Sequence, residues 1–171
     1  MGARNLAVKD GASYAKVRST NATDTSFTAP AATTTRPASA GVVNLRRFGT
    51  IPEWLMVVPY GTGDADDVFD MWITGWRKIS TLWVPTRLVK LTCTLGTAVG
   101  VSGAAITDSE LFADTITASM GISNVSYQLF SPTDNTPAHA LVAPNGCELL
   151  EFTFDTTTGD PTGCNALVAR L

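Results

Sequence analysis

The sequence predicts an all-β protein with a jelly-roll-like β-sandwich core and an extended N-terminal arm. Three observations carry this. From Gly41 onward, short runs alternate apolar and polar side chains, the period of a half-buried strand. Turn residues punctuate those runs about every eight to twelve positions, a spacing typical of sandwiches and barrels. Residues 21–40 break the pattern: they hold six Thr, six Ala, two Pro, two Ser and two charges, Asp24 and Arg36. Such a segment has little large apolar surface to offset the entropy of ordering it.

The division expected is therefore a hairpin and arm over 1–40 and a core domain over 41–171. In the first part, Asn5 to Lys9 and Ser13 to Thr20 alternate around Asp10-Gly11, a hairpin signal because Gly accepts the positive φ of a tight turn. An isolated two-stranded hairpin is marginal in water. Leu6, Val8, Tyr14 and Val17 are accordingly expected to pack on a neighbour, with residues 21–40 as a mobile tether and the core folding without them.

Within the core, Val42 to Phe48 reads as a strand stopped by Gly49 and Pro52, and Trp54 to Tyr60 as another, ended by Gly61-Thr62-Gly63. Val68 to Ile79 alternates most clearly, with Phe69, Met71 and Ile73 opposed to Asp70, Trp72 and Thr74. Trp83-Val84-Pro85 marks a strand end or bend, since Pro cannot donate to a ladder. Leu88 to Leu95 is a strand, and the Gly- and Ala-rich run from Leu95 to Ser109 reads as a loop. Further strands are expected over 114–120, 125–129, 139–143, 147–155 and 164–171, with a hairpin turn at Pro144-Asn145-Gly146. That makes about eight strands after the arm, the jelly-roll number.

Composition narrows the function. Charged residues are 16% of the chain, against the usual quarter, and the net charge is −3. No basic cluster exceeds Arg46-Arg47, so the electrostatic footprint of a nucleic-acid-binding protein is missing. The longest weakly charged apolar run, Leu95 to Ile106, is too short to span a bilayer, and no membrane partner is expected. Residues 1–10 hold no apolar stretch of the secretory-leader type, and Leu6 stands where a myristoylation signal needs Ser or Thr. Cys93, Cys147 and Cys164 are odd in number and widely spaced. They read as buried thiols of a protein made in a reducing cytoplasm, with a Cys147–Cys164 disulfide as the alternative.

No reactive constellation stands out, and neither catalysis nor a cofactor is expected. The single histidine, His139, sits in a short strand. Gly61-Thr62-Gly63 is followed by acids that repel phosphate. Asp64, Asp66, Asp67 and Asp70 form the sharpest cluster. Carboxylates in a loop suit a hard cation, but the spacing lacks the closing Glu of a calcium loop, so a solvated acidic turn is the simpler reading. Asp114 and Glu151 remain open as a spaced carboxylate pair. Trp54, Trp72, Trp76 and Trp83 lie within thirty residues; packing in the core or at an interface is expected of them, with stacking on sugar rings as the alternative. Trp72 and Trp76 fall opposite Phe69 and Met71, which makes them candidates for a subunit contact in a homotrimer.

Asn5-Leu6-Ala7-Val8-Lys9-Asp10-Gly11, followed by Lys16 to Thr20, resembles the start of small virion proteins of tailed bacteriophages. Ile51-Pro52-Glu53-Trp54 through Val58-Pro59-Tyr60-Gly61, then Gly75-Trp76-Arg77-Lys78 and Leu82-Trp83-Val84-Pro85, are similar to phage proteins of this size. The resemblance implies a capsid decoration, or cement, protein. Such proteins sit on the capsid exterior, bind the major capsid protein, commonly form trimers and bridge neighbouring capsomers with extended arms. It brings no catalytic residues. The alternative is a carbohydrate-binding or adhesin-type sandwich module.

Overall fold

A computed structural model of the chain describes residues 14–18, 27–96, 101–111, 127–130, 139–161 and 163–170. Among these residues ten strands are formed: β1 (Tyr14–Arg18), β2 (Val42–Asn44), β3 (Leu55–Thr62), β4 (Val68–Ile79), β5 (Leu82–Leu95), β6 (Val101–Leu111), β7 (Tyr127–Phe130), β8 (His139–Val142), β9 (Leu149–Thr158) and β10 (Gly163–Arg170). The one helical element among the described residues is a 3-10 turn over Leu45–Phe48, opened by the Asn44 side chain accepting from the Arg46 N–H.

Two antiparallel sheets result. In the first, β10 lies between β1 and β3, and β8 joins β3 to β7. In the second, the order is β6-β5-β4-β9-β2. The two meet through β6, whose Val101–Gly103 pairs with β3 and whose Ala104–Leu111 pairs with β5. The far edge of β3 changes partner from β8 to β6 around Val58-Pro59, where proline supplies no N–H to a ladder.

The core lies between the sheets. Strands β3, β8 and β10 give Leu55, Val57, Ala140, Val142, Ala166 and Val168; strands β4, β5 and β9 give Phe69, Met71, Ile73, Leu91, Leu150 and Phe152. The period-two pattern of β4, β9 and β10 produces this directly, since alternate side chains point to opposite faces. Each fully buried Leu, Ile or Met adds roughly 1.5–3 kcal/mol of transfer free energy. All three cysteines are buried and free. Burial pushes the Cys164 thiol up to about 12, with nearby Asp67 adding to the effect. Burial likewise raises Cys93 well above its ordinary value, and raises Cys147 against the opposing pull of Arg77.

Three elements differ from the sequence reading. The run expected as a loop over 95–109 contains β6, because Gly and Ala suit the closely packed junction of two sheets: Ala104 is fully buried. Pro85 does not end a strand. It lies within β5 opposite Trp76, beyond the point where β6 pairing starts at Val89, so no ladder to β6 needs its missing N–H. The strand expected over 42–48 stops at Asn44, which caps the 3-10 turn. The expected strand over 114–120 lies outside the described residues.

The boundary expected at residue 40 is crossed by contacts. β1 is laid antiparallel on β10, Tyr14 opposite Ala169 and Arg18 opposite Asn165, and Ala15 is buried in the core. Leu6 and Val8 lie outside the described residues, as do the side chains of Tyr14 and Val17.

Candidate functional site

The outer face of the second sheet is the richest surface of the molecule. Alternation along β4 directs Phe69, Met71 and Ile73 inward and Asp70, Trp72, Thr74 and Trp76 outward. A bulge at Leu88 of β5 falls between the Ile73 and Thr74 pairings. Trp72 is flanked by Lys90 on β5 and Thr153 on β9. Trp76 is flanked by Pro85 and Leu149.

Residues 27–36, from the segment expected to be a free tether, run over this face. The Phe27 ring stacks on Trp72 with centroids 4.1 Å apart and planes within 5°. The Phe27 N–H donates to Asp155 Oδ2 at 3.4 Å. Farther along, Thr33 and Trp83 exchange two backbone hydrogen bonds, of 3.0 and 2.7 Å. The Arg36 guanidinium lies 5.9 Å from the Trp83 ring centroid, within cation–π range. Among the described residues the segment is thus held by one stack, one hydrogen bond to a side chain, one two-bond bridge and one cation–π contact, and by no continuous ladder.

The two tryptophans expected at a subunit contact are therefore covered by their own chain. Trp72 is half-buried under Phe27, and the Lys90 ammonium stands 5.3 Å from its ring centroid. Trp76 is buried with Trp83 and Leu149, and its indole N–H donates to Glu151 Oε2 at 2.8 Å. Glu151 is thereby engaged in packing, and Asp114, its possible carboxylate partner, lies outside the described residues.

The four aspartates separate instead of converging. Asp70 faces outward on β4, where Lys90 Nζ lies 2.8 Å from its Oδ2 and the Thr92 hydroxyl donates to its Oδ1 at 2.6 Å. Asp67 is buried, and its Oδ2 accepts the Asp64 N–H at 2.9 Å. The backbone of Asp66 and Asp67 bonds to Leu95 at the end of β5. Gly159, at φ 77°, lies so close to Asp67 that a Cβ would collide with its carboxylate. Asp64 and Asp66 are exposed. Strand alternation turns Asp70 away from the loop that holds Asp67, so the cluster in sequence is not one in space. Among the described residues, no three His, Cys, Asp or Glu side chains gather as a cation site. His139 is half-buried in β8, opposite Phe130.

Beyond Trp76 the β4–β5 hairpin continues without β9, and Arg77 to Ile79 pair with β5 alone among the described strands. Its apex exposes Ile79 (55%) and Leu82 (42%), which face each other across the turn. Arg77 and Lys78, also exposed, stand just behind. Phe27, Thr33, Arg36, Ile79 and Leu82 were not singled out from sequence. Phe27 did carry a signal: it is the single aromatic residue between 21 and 40.

No protein-family model matches the chain, and comparisons with curated proteins and with solved structures return no similar protein.

Proposed function

We propose that this is a virion structural protein, a decoration protein that stabilises a phage capsid from outside by binding the head lattice and bridging neighbouring capsomers. The observation carrying this reading is the seating of residues 27–36 on the second sheet by a few separate contacts. A segment held by a few separate contacts leaves its seat at smaller cost than a strand in a ladder. Re-laid on a neighbouring copy, the same segment would set Phe27 of one protomer on Trp72 of the next, giving a contact between copies without new chemistry. Trp72 would then serve the subunit contact that its place on β4 suggests, and the exposed Ile79–Leu82 apex gives a second apolar contact. The jelly-roll reading of the core is supported by two nested long-range pairs, β3 with β10 and β4 with β9. The role proposed is structural and not catalytic; the partners are the major capsid protein and further copies of this chain, as a homotrimer on the virion exterior.

Quantitative mass spectrometry of purified virions tests the reading. Recovery in numbers comparable to the major capsid protein is expected. Absence from virions, or presence in a handful of copies, would overturn the head-decoration assignment.

A further inference from the structure

We infer that the groove between Trp54 and the turn before β9 is a binding site for one pyranose ring. Three of the four tryptophans are engaged within the chain, as described above. The fourth, Trp54, is half-buried and lines an open cavity of about 270 Å³. The walls are Pro52, Glu53 and Trp54 on one side and Pro144, Asn145 and Gly146 on the other.

The second wall is built rigidly. Asn145 (φ 50°) and Gly146 (φ 74°) both take positive φ, and the Cys147 N–H closes the turn on the Pro144 carbonyl at 2.9 Å. Positive φ at both central positions is the signature of a tight primed turn, which Asn-Gly adopts readily. The Arg77 guanidinium donates to the Asn145 carbonyl and ties the turn to the β4–β5 hairpin. Two prolines stiffen the rest. A wall that does not need ordering spares a ligand that entropy.

The chemistry of the lining selects the ligand. Trp54, Glu53 and Asn145 bring an indole, a carboxylate and a carboxamide to the residues that line the space, beside Ala143 and two prolines. An anion is disfavoured, because among the described residues lining the groove the charged side chain is Glu53. A quaternary or methylated ammonium is recognised by several aromatic rings forming a cage, and this groove has one. A pyranose has an apolar C–H face that lies on an aromatic plane and a rim of hydroxyls. Carboxylates bind hydroxyl donors strongly, and a carboxamide both donates and accepts. The cavity falls just below the range of about 300–1,000 Å³ typical of drug-sized ligands, which fits a single ring.

This site stands apart from the covered sheet face and does not depend on the virion reading. The test is titration of the full chain with methyl glycosides of glucose, galactose, mannose and N-acetylglucosamine, followed by NMR. Saturable binding of at least one, with a Kd of about 1 mM, is expected; that corresponds to roughly −4 kcal/mol, suited to a one-ring site. Shifts should centre on the Trp54 indole and the Asn145 and Gly146 amides. Trp54→Ala should weaken binding at least about tenfold, and Glu53→Gln severalfold, at unchanged circular dichroism. If Trp54→Ala does not fold, the shift map of the native protein decides alone. The proposal is overturned if no glycoside saturates, if the shifts centre elsewhere, if binding survives Trp54→Ala, or if tetramethylammonium or a proline-rich peptide takes this groove while the sugars do not.

Discussion

The two faces of β4 are sealed in different ways. Inward, Phe69, Met71 and Ile73 press against the first sheet, at 0–1% exposure, in a cluster fed by many strands. Outward, the seal is made of a few separate contacts: Phe27 stacks on Trp72, Thr33 bridges to Trp83, and Trp76 packs with Trp83 and Leu149 and donates to Glu151. The inner seal is cooperative, because each side chain touches several others and none can leave alone. The outer seal is modular. Its parts are separable contacts, each worth about 1 kcal/mol. One strand thus supplies both a fixed core and a surface whose cover is held by separate contacts.

The widest separation of the two faces comes from truncating the core. Met71→Ala, at a site with no exposure, should cost about 2–5 kcal/mol in urea unfolding. That is a large share of the roughly 5–15 kcal/mol by which a domain is stable. A cost under about 1 kcal/mol would mean that the inner face is no more cooperative than the outer.

Next comes the ion pair of the outer face. Asp70→Ala removes the partner of Lys90 and the acceptor of Thr92. Because Asp70 is nearly buried, a loss of about 1–3 kcal/mol is expected, short of the core truncation. Measuring Asp70→Ala and Lys90→Met singly and together isolates the pair. A coupling energy near zero would show that the outer face does not rely on it.

Alkaline pH probes the inner seal more gently. Cys164 has its folded pKa raised from 9.0 to about 12. Above pH 9 the unfolded thiol ionises while the folded one keeps its proton, so the folded state binds more protons and stability falls as pH rises. The contribution is full below about pH 9 and disappears by about pH 12. Cys164→Ser should flatten that slope relative to the parent. Thiol-specific alkylation of the native protein at pH 8 should be slow at Cys164, since the thiolate is the nucleophile.

Much of the inner face was legible in the sequence, and the outer face was not. β4 runs over 68–79 as its alternation indicates, because a half-buried strand writes its geometry into period two. The Asn145-Gly146 turn was legible for a similar reason, as its residues answer a backbone demand. β6 was not, since its Gly and Ala are chosen for close packing at the sheet junction, and their low propensity resembles that of a loop. The covering of Trp72 was hidden more deeply. Composition describes residues 21–40 as a whole, whereas Phe27 makes its contact as a single residue among small ones, across 45 positions of sequence. The aspartates teach the converse: Asp67 and Asp70, three positions apart in sequence, end in a loop and on the outer face of a strand.

The smallest effect expected bears most directly on the exchangeable cover. Phe27→Ala removes one ring from the surface and leaves the core intact, so far-UV circular dichroism should be unchanged. Its coupling with Trp72→Ala in a double-mutant cycle should be about 0.5–1.5 kcal/mol, the range for an aromatic pair beyond its area burial. The readout that separates a strap from an incidental contact is hydrogen exchange at the Thr33 and Trp83 amides, which donate to each other's carbonyls. If residues 27–36 are seated as a unit, loss of the stack at Phe27 should speed exchange at both amides, although Thr33 lies six positions along the chain and pairs with Trp83 and not Trp72. Exchange in the β4–β9 ladder should stay as in the parent, because those bonds belong to the cooperative core. Unchanged protection at Thr33 and Trp83 would mean that the bridge stands without the stack. Faster exchange throughout β4 and β9 would mean that the cover belongs to the core. Either result would remove the modular outer face on which exchange between copies depends.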